Sequence, residues 1–281
     1  MRIGAHAWLW VAPFTTEKIP LLSKIAEMGF DWVELGIESP NQMDYREVRA
    51  ALEDAGLGIS ISAITSADRD LTIDDASVNR NGIEYLKHCV DAIRTLGGRV
   101  IAGPIYASVG RLWQADADQR RRDMDRCVKN IREVAAYAND KGAVFGVESL
   151  NRFETSFINT IDQAIELVER VDSPAVQMMA DTFHMNIEEK DVAASLEKIG
   201  KRLVHVHANE NDRGAPGSGH VDWEGVGRAL KKIDYDGALV IESFSASIKE
   251  IARAAAVWRP LAPTQDDLAR DGLAFLKKLA A

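Results

Sequence analysis

The stretch AVQMMADTF (175–183) decides how this chain is interpreted, because it places polar groups directly after an apolar run. The run AVQMM is typical of a strand buried in a parallel sheet. The residues that follow it carry an unusual number of polar and ionisable groups: Asp181, His184, Asn186, Glu188 and Glu189. A loop from a strand to a helix needs one capping residue and a turn residue, so this loop carries more polar groups than its connection requires.

Eight apolar runs of this kind recur along the chain, and about eight segments with helical periodicity lie between them. The runs occupy residues 2–10, 31–37, 58–65, 99–106, 143–150, 175–183, 202–210 and 237–244. Several of the helical segments end in a glycine, which is typical of a helix C-terminus: Gly29, Gly56, Gly97 and Gly142.

Eight strand–helix units in 281 residues predict an α/β fold, a single (β/α)8 TIM barrel that forms one domain over residues 1–281. A doubly wound sheet is the alternative architecture. Such a sheet would more often show a glycine-rich turn after its first strand, and GAHAWLW (4–10) contains no such turn.

Charge and composition exclude several classes of protein. The net charge is −9, and a protein that binds duplex nucleic acid needs a basic face, so we expect no nucleic-acid partner. No apolar run reaches about 18 residues, so we expect no membrane partner. The amino terminus lacks the apolar core of a signal peptide, and Cys89 and Cys127 show no CxxC spacing, which together predict a cytoplasmic protein.

Ionisable residues stand at the ends of the last four predicted strands. In a barrel of this kind the active site lies at the carboxyl ends of the strands, and there the sequence places Glu148, Asp181, His207 and Glu242. Three buried carboxylates repel one another in a low dielectric, and a divalent cation would offset that repulsion. Three oxygen donors and one imidazole suit Mn²⁺, Co²⁺ or Mg²⁺, and Zn²⁺ is less favoured.

Each of these residues also has an ordinary structural interpretation. Asp181 alone could cap the following helix, and a single strand-end glutamate is more often a cap or an ion-pair partner. His205 and His207 share one face of their strand, and we expect His207, nearer the carboxyl end, to be the ligand with His205 packed below it. Only the convergence of four strand ends predicts a metal site.

Four segments of the chain resemble one family of sugar epimerases. They are VESLNRFETSFINT (147–160), ADTFHMNIEE (180–189), HVHANENDRG (205–214) and IESF (241–244). They resemble the D-tagatose 3-epimerases, which include D-psicose (allulose) and L-ribulose 3-epimerases and belong to the xylose isomerase-like barrels. The resemblance extends over the whole chain in order and length. It implies a (β/α)8 barrel, a divalent metal, usually Mn²⁺ or Co²⁺, and epimerisation of a free ketohexose or ketopentose at C3.

The resemblance also implies roles for individual residues. The implied metal ligands are Glu148, Asp181, His207 and Glu242. Glu148 and Glu242 would in addition form the proton-transfer pair. Glu154 would bind the terminal hydroxyl end of the substrate, and His184 and Arg213 would contact the oxygen on C2.

The amino-terminal half departs from the family pattern. His6 and its neighbouring tryptophans in GAHAWLW stand where some members have tyrosine or phenylalanine, and ESLN replaces the commoner EVVN. We expect His6 and Trp113 to line the substrate pocket, although core packing is an equally simple role for a tryptophan. These departures leave the implied chemistry intact and leave the preferred sugar open.

Related barrels define the alternative functions. Aldose–ketose isomerases, hydroxypyruvate isomerases and inosose dehydratases share the fold and a similar metal cluster. A phosphorylated sugar would need Arg213 as its anchor, yet no second basic residue adjoins it in the motif. Endonuclease IV-like barrels need more metal-binding histidines and a basic surface than this chain has. We therefore expect a small ketose substrate and, from the family, a homodimer or homotetramer.

Overall fold

The computed structural model describes residues 1–281 and confirms the predicted TIM barrel. Eight parallel strands pair in chain order, and the first pairs with the last to close the barrel. Their bounds are β1 Arg2–His6, β2 Trp32–Ile37, β3 Gly58–Ala63, β4 Val100–Gly103, β5 Val144–Val147, β6 Val176–Asp181, β7 Leu203–His207 and β8 Ala238–Ile241.

Ten α-helices surround the barrel, rather than the eight or so that were predicted. Their bounds are α1 Pro20–Glu27, α2 Tyr45–Ala55, α3 Ala76–Leu96, α4 Ala117–Lys141, α5 Ile161–Val171, α6 Thr182–Glu188, α7 Val192–Ile199, α8 Trp223–Lys232, α9 Lys249–Ala254 and α10 Gln265–Ala280. The two additional helices arise because β6 and β8 are each followed by a short helix and a second one. None of the ten is both long and apolar enough to cross a membrane.

Local signals account for the ends of these helices. The four glycines expected at helix C-termini all have positive φ: Gly29 at 94°, Gly56 at 68°, Gly97 at 89° and Gly142 at 71°. At the other ends, the side chains of Asp44, Asp75 and Asp116 accept backbone N–H groups of the first turns of α2, α3 and α4. Each of these helix ends is therefore formed by residues that are close together in the sequence.

The strands are shorter than predicted at their carboxyl ends. β1 ends at His6, and residues 7–9 form a 3-10 turn. β6 ends at Asp181, whose Oδ1 accepts the N–H of Phe183 at 2.8 Å and so starts α6. Glu148 and Glu242 likewise follow the last residues of β5 and β8. The candidate site residues thus lie on the rim of the barrel: Asp181 and His207 are the last ladder residues of β6 and β7, and Glu148 and Glu242 follow β5 and β8.

The core has an apolar outer layer and a polar inner layer. Most buried apolar side chains of strands and helices form one cluster. A second, small cluster of Trp8, Phe244 and Val257 lies in loops that follow β1 and β8. Inside the barrel, in contrast, Glu34 hydrogen-bonds to Ser60, and both are fully buried. This polar layer lies directly beneath the rim.

We predict that Gly103→Ala destabilises the barrel by about 2–4 kcal/mol, measured as the free energy of unfolding in urea. Gly103 has a φ of 123°, and a Cβ there would lie 2.3 Å from the carbonyl oxygen of Ala63 on β3, where neither backbone can yield. Gly142→Ala is the matched control, because its φ is also positive but nothing lies within 4 Å of an added Cβ. We expect it to lose only about 1 kcal/mol. Equal losses for the two variants would contradict the role given to the β3–β4 contact.

Candidate active site

Four ionisable side chains from adjacent strand ends meet at the rim. His207 Nδ1 lies 4.0 Å from Glu148 Oε1, 3.9 Å from Asp181 Oδ2 and 3.5 Å from Glu242 Oε2. All four residues are buried. We call this group the acidic cluster. It is formed by β5, β6, β7 and β8, which are neighbours in the barrel.

The pKa values of the three carboxyl groups in the acidic cluster are shifted in different directions. Burial raises the pKa of Glu148 well above its ordinary value, and repulsion by Asp181 and Glu242 adds to the shift while His207 opposes it. Burial raises the pKa of Asp181 to about 6, although Arg213 opposes the shift. For Glu242, the positive charges of His207 and Arg213 outweigh burial and lower the pKa.

The donor atoms of the acidic cluster fit a divalent metal ion. His207 Nδ1 is buried, makes no hydrogen bond and faces the three carboxylates. The ligand atoms of Glu148, Asp181 and His207 all lie within 4.8 Å of one another. Carboxylate oxygens with one imidazole nitrogen are ligands that hard and borderline divalent cations prefer.

Glu34 on β2 holds the other side of the His207 ring. Its Oε1 lies 2.7 Å from His207 Nε2, and its Oε2 accepts the hydroxyl hydrogen of Ser60. A carboxylate can only accept, so Nε2 carries a hydrogen, and Nδ1 faces the acidic cluster, where it offers a lone pair whenever the ring is neutral. Burial favours a neutral ring, but Glu242 and Glu34 outweigh it and raise the pKa of His207. His205 lies below, its Nε2 2.6 Å from Glu34 Oε2.

His184 presents an N–H group to the acidic cluster. The backbone N–H of Asn151 donates to His184 Nδ1 at 3.1 Å, so the neutral ring carries its hydrogen on Nε2. That Nε2 lies 3.7 Å from Glu148 Oε1 and 3.6 Å from Asp181 Oδ2. Burial and, next, the charge of Arg213 lower the pKa of His184 well below its ordinary value. His184 is therefore a neutral donor at the rim.

Arg213 brings a buried positive charge to the acidic cluster. Its Nη1 donates to Asp181 Oδ2 at 3.1 Å and also to Glu242 Oε2. The guanidinium carbon lies 4.1 Å from the ring centroid of Phe183 and 5.0 Å from that of Phe244, so aromatic faces flank it. Burial would lower the pKa of Arg213, but the nearby carboxylates outweigh it and raise the pKa.

Another buried carboxylate, that of Glu210, lies outside the acidic cluster and shapes the loop that carries Arg213. Its Oε1 accepts the N–H of Val221 at 2.9 Å, and its Oε2 accepts the N–H of Gly217 and the indole N–H of Trp223, both at 2.8 Å. Gly217 has a φ of 86°, and a Cβ there would lie 2.3 Å from the ring of Phe275. The turn 215–219 therefore orders this loop around Glu210.

Glu154 and His6 lie near the acidic cluster but are held by other groups. Glu154 is half-buried, and its Oε1 accepts the side-chain N–H of Asn151 at 2.9 Å. His6 is fully buried at the end of β1, where its Nε2 lies 2.7 Å from Ser62 Oγ and its ring stacks on Trp8. Burial lowers the pKa of His6 to about 4. His6 thus belongs to the polar layer just beneath the rim.

Trp113 contacts residues outside the acidic cluster. Its ring stacks on Phe157, and the guanidinium of Arg111 lies 3.7 Å from its centroid. Its indole N–H donates to Asp123 at 3.2 Å. The structure therefore does not bring Trp113 together with the other candidate residues.

Two of the carboxylates after β6 have structural partners. Glu188 accepts the backbone N–H and the guanidinium N–H groups of Arg152. Glu189 accepts the N–H of Ile161 at 2.8 Å and the hydroxyl of Ser195 at 2.7 Å. Glu188 and Glu189 thus connect the end of α6 to the loop that follows β5 and to helices α5 and α7.

Sequence reasoning missed Glu34, Asn151 and Asn209. Glu34 is the one carboxylate within the apolar strand WVELGI (32–37), and a lone charge in such a strand is a usable signal. Asn151 lies inside a quoted motif but was given no role. Asn209 lies two residues after the end of β7, and its side-chain amide lies 3.0 Å from both oxygens of Asp181.

Residues 22–279 match the xylose isomerase-like TIM barrel family, and the chain belongs to that family. The L-ribulose 3-epimerase of Methylomonas sp. (strain DH-1) is 33% identical over 281 residues, which cover 99% of this chain and 97% of that protein. The ketose 3-epimerase of Arthrobacter globiformis is 33% identical over 285 residues, covering 100% of this chain and 98% of that protein.

A crystal structure of D-allulose 3-epimerase from Methylomonas sp. superimposes with a TM-score of 0.93 at 34% identity, covering 99% of this chain and 98% of that one. The resemblance found in the four motifs therefore holds for the whole chain. These relatives confirm the predicted enzyme class, an isomerase of the epimerase type.

We predict that Glu210→Gln lowers the free energy of unfolding by about 1–3 kcal/mol at pH 7, because one acceptor becomes an N–H₂ group facing buried donors. Its N–H partners outweigh burial and lower the pKa of Glu210. The stabilisation by the ionised Glu210 carboxylate is thus fully present above its pKa in the unfolded chain, about 4.3. It is lost as the pH falls through the pKa of Glu210 in the folded protein. Urea denaturation at pH 7 and pH 3.5 measures both effects, with the exposed Glu224→Gln as control. A difference between Glu210→Gln and the parent that stays the same at both pH values would contradict this interpretation.

Proposed function

We propose that this protein is a divalent-metal-dependent ketose 3-epimerase that acts on a free ketohexose or ketopentose. One observation carries the proposal. Two glutamates, Glu148 and Glu242, come from the outer strands of four neighbours, and Asp181 and His207 come from the two strands between them. Epimerisation needs one proton-transfer group on each side of a carbon atom. The order of strands β5 to β8 supplies two such groups, Glu148 and Glu242.

The relatives support the choice of reaction. Proteins named as ketose 3-epimerase and L-ribulose 3-epimerase match this chain over almost their whole length. Aldose–ketose isomerisation, hydroxypyruvate isomerisation and inosose dehydration remain the alternatives from the same fold. They differ in which proton moves or in whether water leaves, so isotope exchange separates them.

The metal would be held by the acidic cluster. We propose Mn²⁺, with Co²⁺ or Mg²⁺ as substitutes, because three carboxylates and one imidazole favour such ions. When bound, the ion supplies Lewis acidity that stabilises negative charge on the substrate's oxygens. Glu34 prepares His207 for this role by occupying its Nε2 hydrogen.

The proton steps are assigned to Glu148 and Glu242. The C3–H bond of a ketose is weakly acidic because the C2 carbonyl delocalises the electron pair left at C3, which gives an enediolate. One glutamate accepts the C3 proton, and the other, in its protonated form, returns a proton to the opposite face of C3. The two roles exchange when the reaction runs in reverse.

Three further residues would orient the sugar. The Nε2–H of His184 and the guanidinium of Arg213 are preorganised donors for the oxygen on C2, where negative charge develops. Arg213 is flanked by the aromatic rings of Phe183 and Phe244, which hold its guanidinium at the rim. Glu154 would accept hydrogen bonds from the terminal hydroxyl end. His6, beneath the rim, would contribute to the floor of the pocket.

We also propose that the protein is cytoplasmic and forms a homodimer or homotetramer. Its two cysteines are buried and free, which suits a reducing compartment. Three large apolar side chains are exposed, and all lie in loops that follow strands at the same end of the barrel: Leu112, Phe153 and Trp258. Such exposed side chains support self-association.

The test is proton NMR of the Mn²⁺-loaded protein in D₂O with D-tagatose, D-fructose and L-ribulose. We expect deuterium at C3 together with the C3 epimer, and we expect loss of both after chelation with EDTA and recovery with MnCl₂. Deuterium at C1 with aldose formation would make the protein an aldose–ketose isomerase. Absence of exchange on every free ketose would refute the proposal and direct attention to phosphorylated sugars and inososes.

We predict that Glu148→Gln and Glu242→Gln each lower kcat for epimerisation by about 10²–10⁴-fold, because each removes one of two proton-transfer groups. Each variant should retain C3 exchange with only one of the two epimers, and the two variants should retain opposite ones. Mn²⁺ content, measured on the same samples, separates loss of chemistry from loss of metal. The exposed Glu224→Gln is the control. Near-normal epimerisation by either variant, with metal bound, would refute the two-glutamate scheme.

A further inference from the structure

We propose that Asn209 is a positioning residue whose side-chain amide holds the carboxylates of Asp181 and Glu242 in the orientation in which they bind the metal. This inference rests on the proposed metal centre and extends it to a residue that follows β7. Asn209 is fully buried and lies in the segment HVHANENDRG (205–214), in which no role was predicted for it.

The contacts of Asn209 join three strand ends. Its Nδ2 lies 3.0 Å from Asp181 Oδ1, 3.0 Å from Asp181 Oδ2 and 3.5 Å from Glu242 Oε2. Its Oδ1 accepts the backbone N–H of Glu242 at 2.8 Å. One amide therefore bonds the side chain of Asp181, the last residue of β6, and both the side chain and the backbone of Glu242, which follows β8.

The chemistry of an amide suits this position. Asp181 and Glu242 are buried and repel each other, and Asn209 offers them two N–H hydrogens without bringing a net charge. Arg213 donates to the same two carboxylates, but its full positive charge also repels a metal cation. A neutral donor can hold the ligands while the cation is present, which a charged donor does only at an electrostatic cost.

Asn209 is itself held in place. The N–H of Asn209 donates to Thr182 Oγ1 at 2.8 Å, and that hydroxyl in turn donates to the carbonyl oxygen of Asn209 at 2.6 Å. Thr182 is fully buried at the start of α6. The amide therefore starts from a fixed backbone, which is what a positioning residue requires.

The test compares the affinity for Mn²⁺ of chelator-treated full-length variants, measured by titration with MnCl₂ and detection of free Mn²⁺ by electron paramagnetic resonance. We expect Asn209→Ala to bind Mn²⁺ about 10–100-fold more weakly than the parent, the usual effect of losing a partner of a ligand. Asn79→Ala is the matched control. Asn79 is a buried asparagine whose Nδ2 donates to the carbonyl oxygens of Asp70 and Ile73, away from the acidic cluster.

The melting temperature of each metal-free variant separates positioning from general stability. We expect Asn79→Ala to lower it as Asn209→Ala does, while its Mn²⁺ affinity stays within about twofold of the parent. If Asn209→Ala does not fold, the near-isosteric Thr182→Val tests the inference instead, because it removes the hydroxyl that holds the Asn209 backbone. We expect Thr182→Val to weaken Mn²⁺ binding by a smaller factor than that expected for Asn209→Ala.

Three outcomes would overturn the inference. Asn209→Ala could bind Mn²⁺ as the parent does, or Asn79→Ala could weaken binding equally, which would reduce Asn209 to a stabilising residue. If the parent itself binds no Mn²⁺, the proposed metal centre fails and the role of Asn209 fails with it. The binding curve of the parent distinguishes this case from the first two.

Discussion

The burial of three carboxylates around one imidazole is the constraint on which the rest of the site depends. Glu148, Asp181 and Glu242 face His207 at the rim of the barrel with almost no access to solvent. Such a group is costly unless positive charge or hydrogen-bond donors offset the repulsion. The surrounding structure supplies an arginine, an amide and a neutral imidazole, and the donor set suits a divalent cation.

The polar layer inside the barrel is the second half of this arrangement. Glu34 reaches His207 from β2 and fixes which nitrogen of the ring faces the acidic cluster. His205 and Ser60 share the same carboxylate, so its charge is compensated from several directions. The His207 imidazole is therefore the side chain that joins Glu34 in the polar layer to the acidic cluster at the rim. The loop that carries Arg213 is organised in the same manner, around the buried carboxylate of Glu210.

Much of this arrangement was accessible from the sequence because it is local. Glycines marked the ends of several helices, and polar residues after apolar runs marked the rim. Other residues have partners that the sequence did not indicate. Trp113 packs on Phe157 and Arg111 instead of touching the acidic cluster, and Glu188 binds Arg152. Several predicted strands extend beyond their observed carboxyl ends, because apolar residues continue after the last ladder hydrogen bond, as in residues 7–10.

By itself the sequence determined the alternation of strands and helices, the closed barrel that follows from eight such units, and the residues available at each strand end. These depend on periodicity and on capping, which act over a few residues. Only the tertiary structure decided which polar groups pair. Glu34 and His207 are 173 positions apart in the chain, and Asn209 bonds Asp181 and Glu242 from a third strand end. Such pairs are fixed by barrel closure and strand register, and no local pattern encodes them.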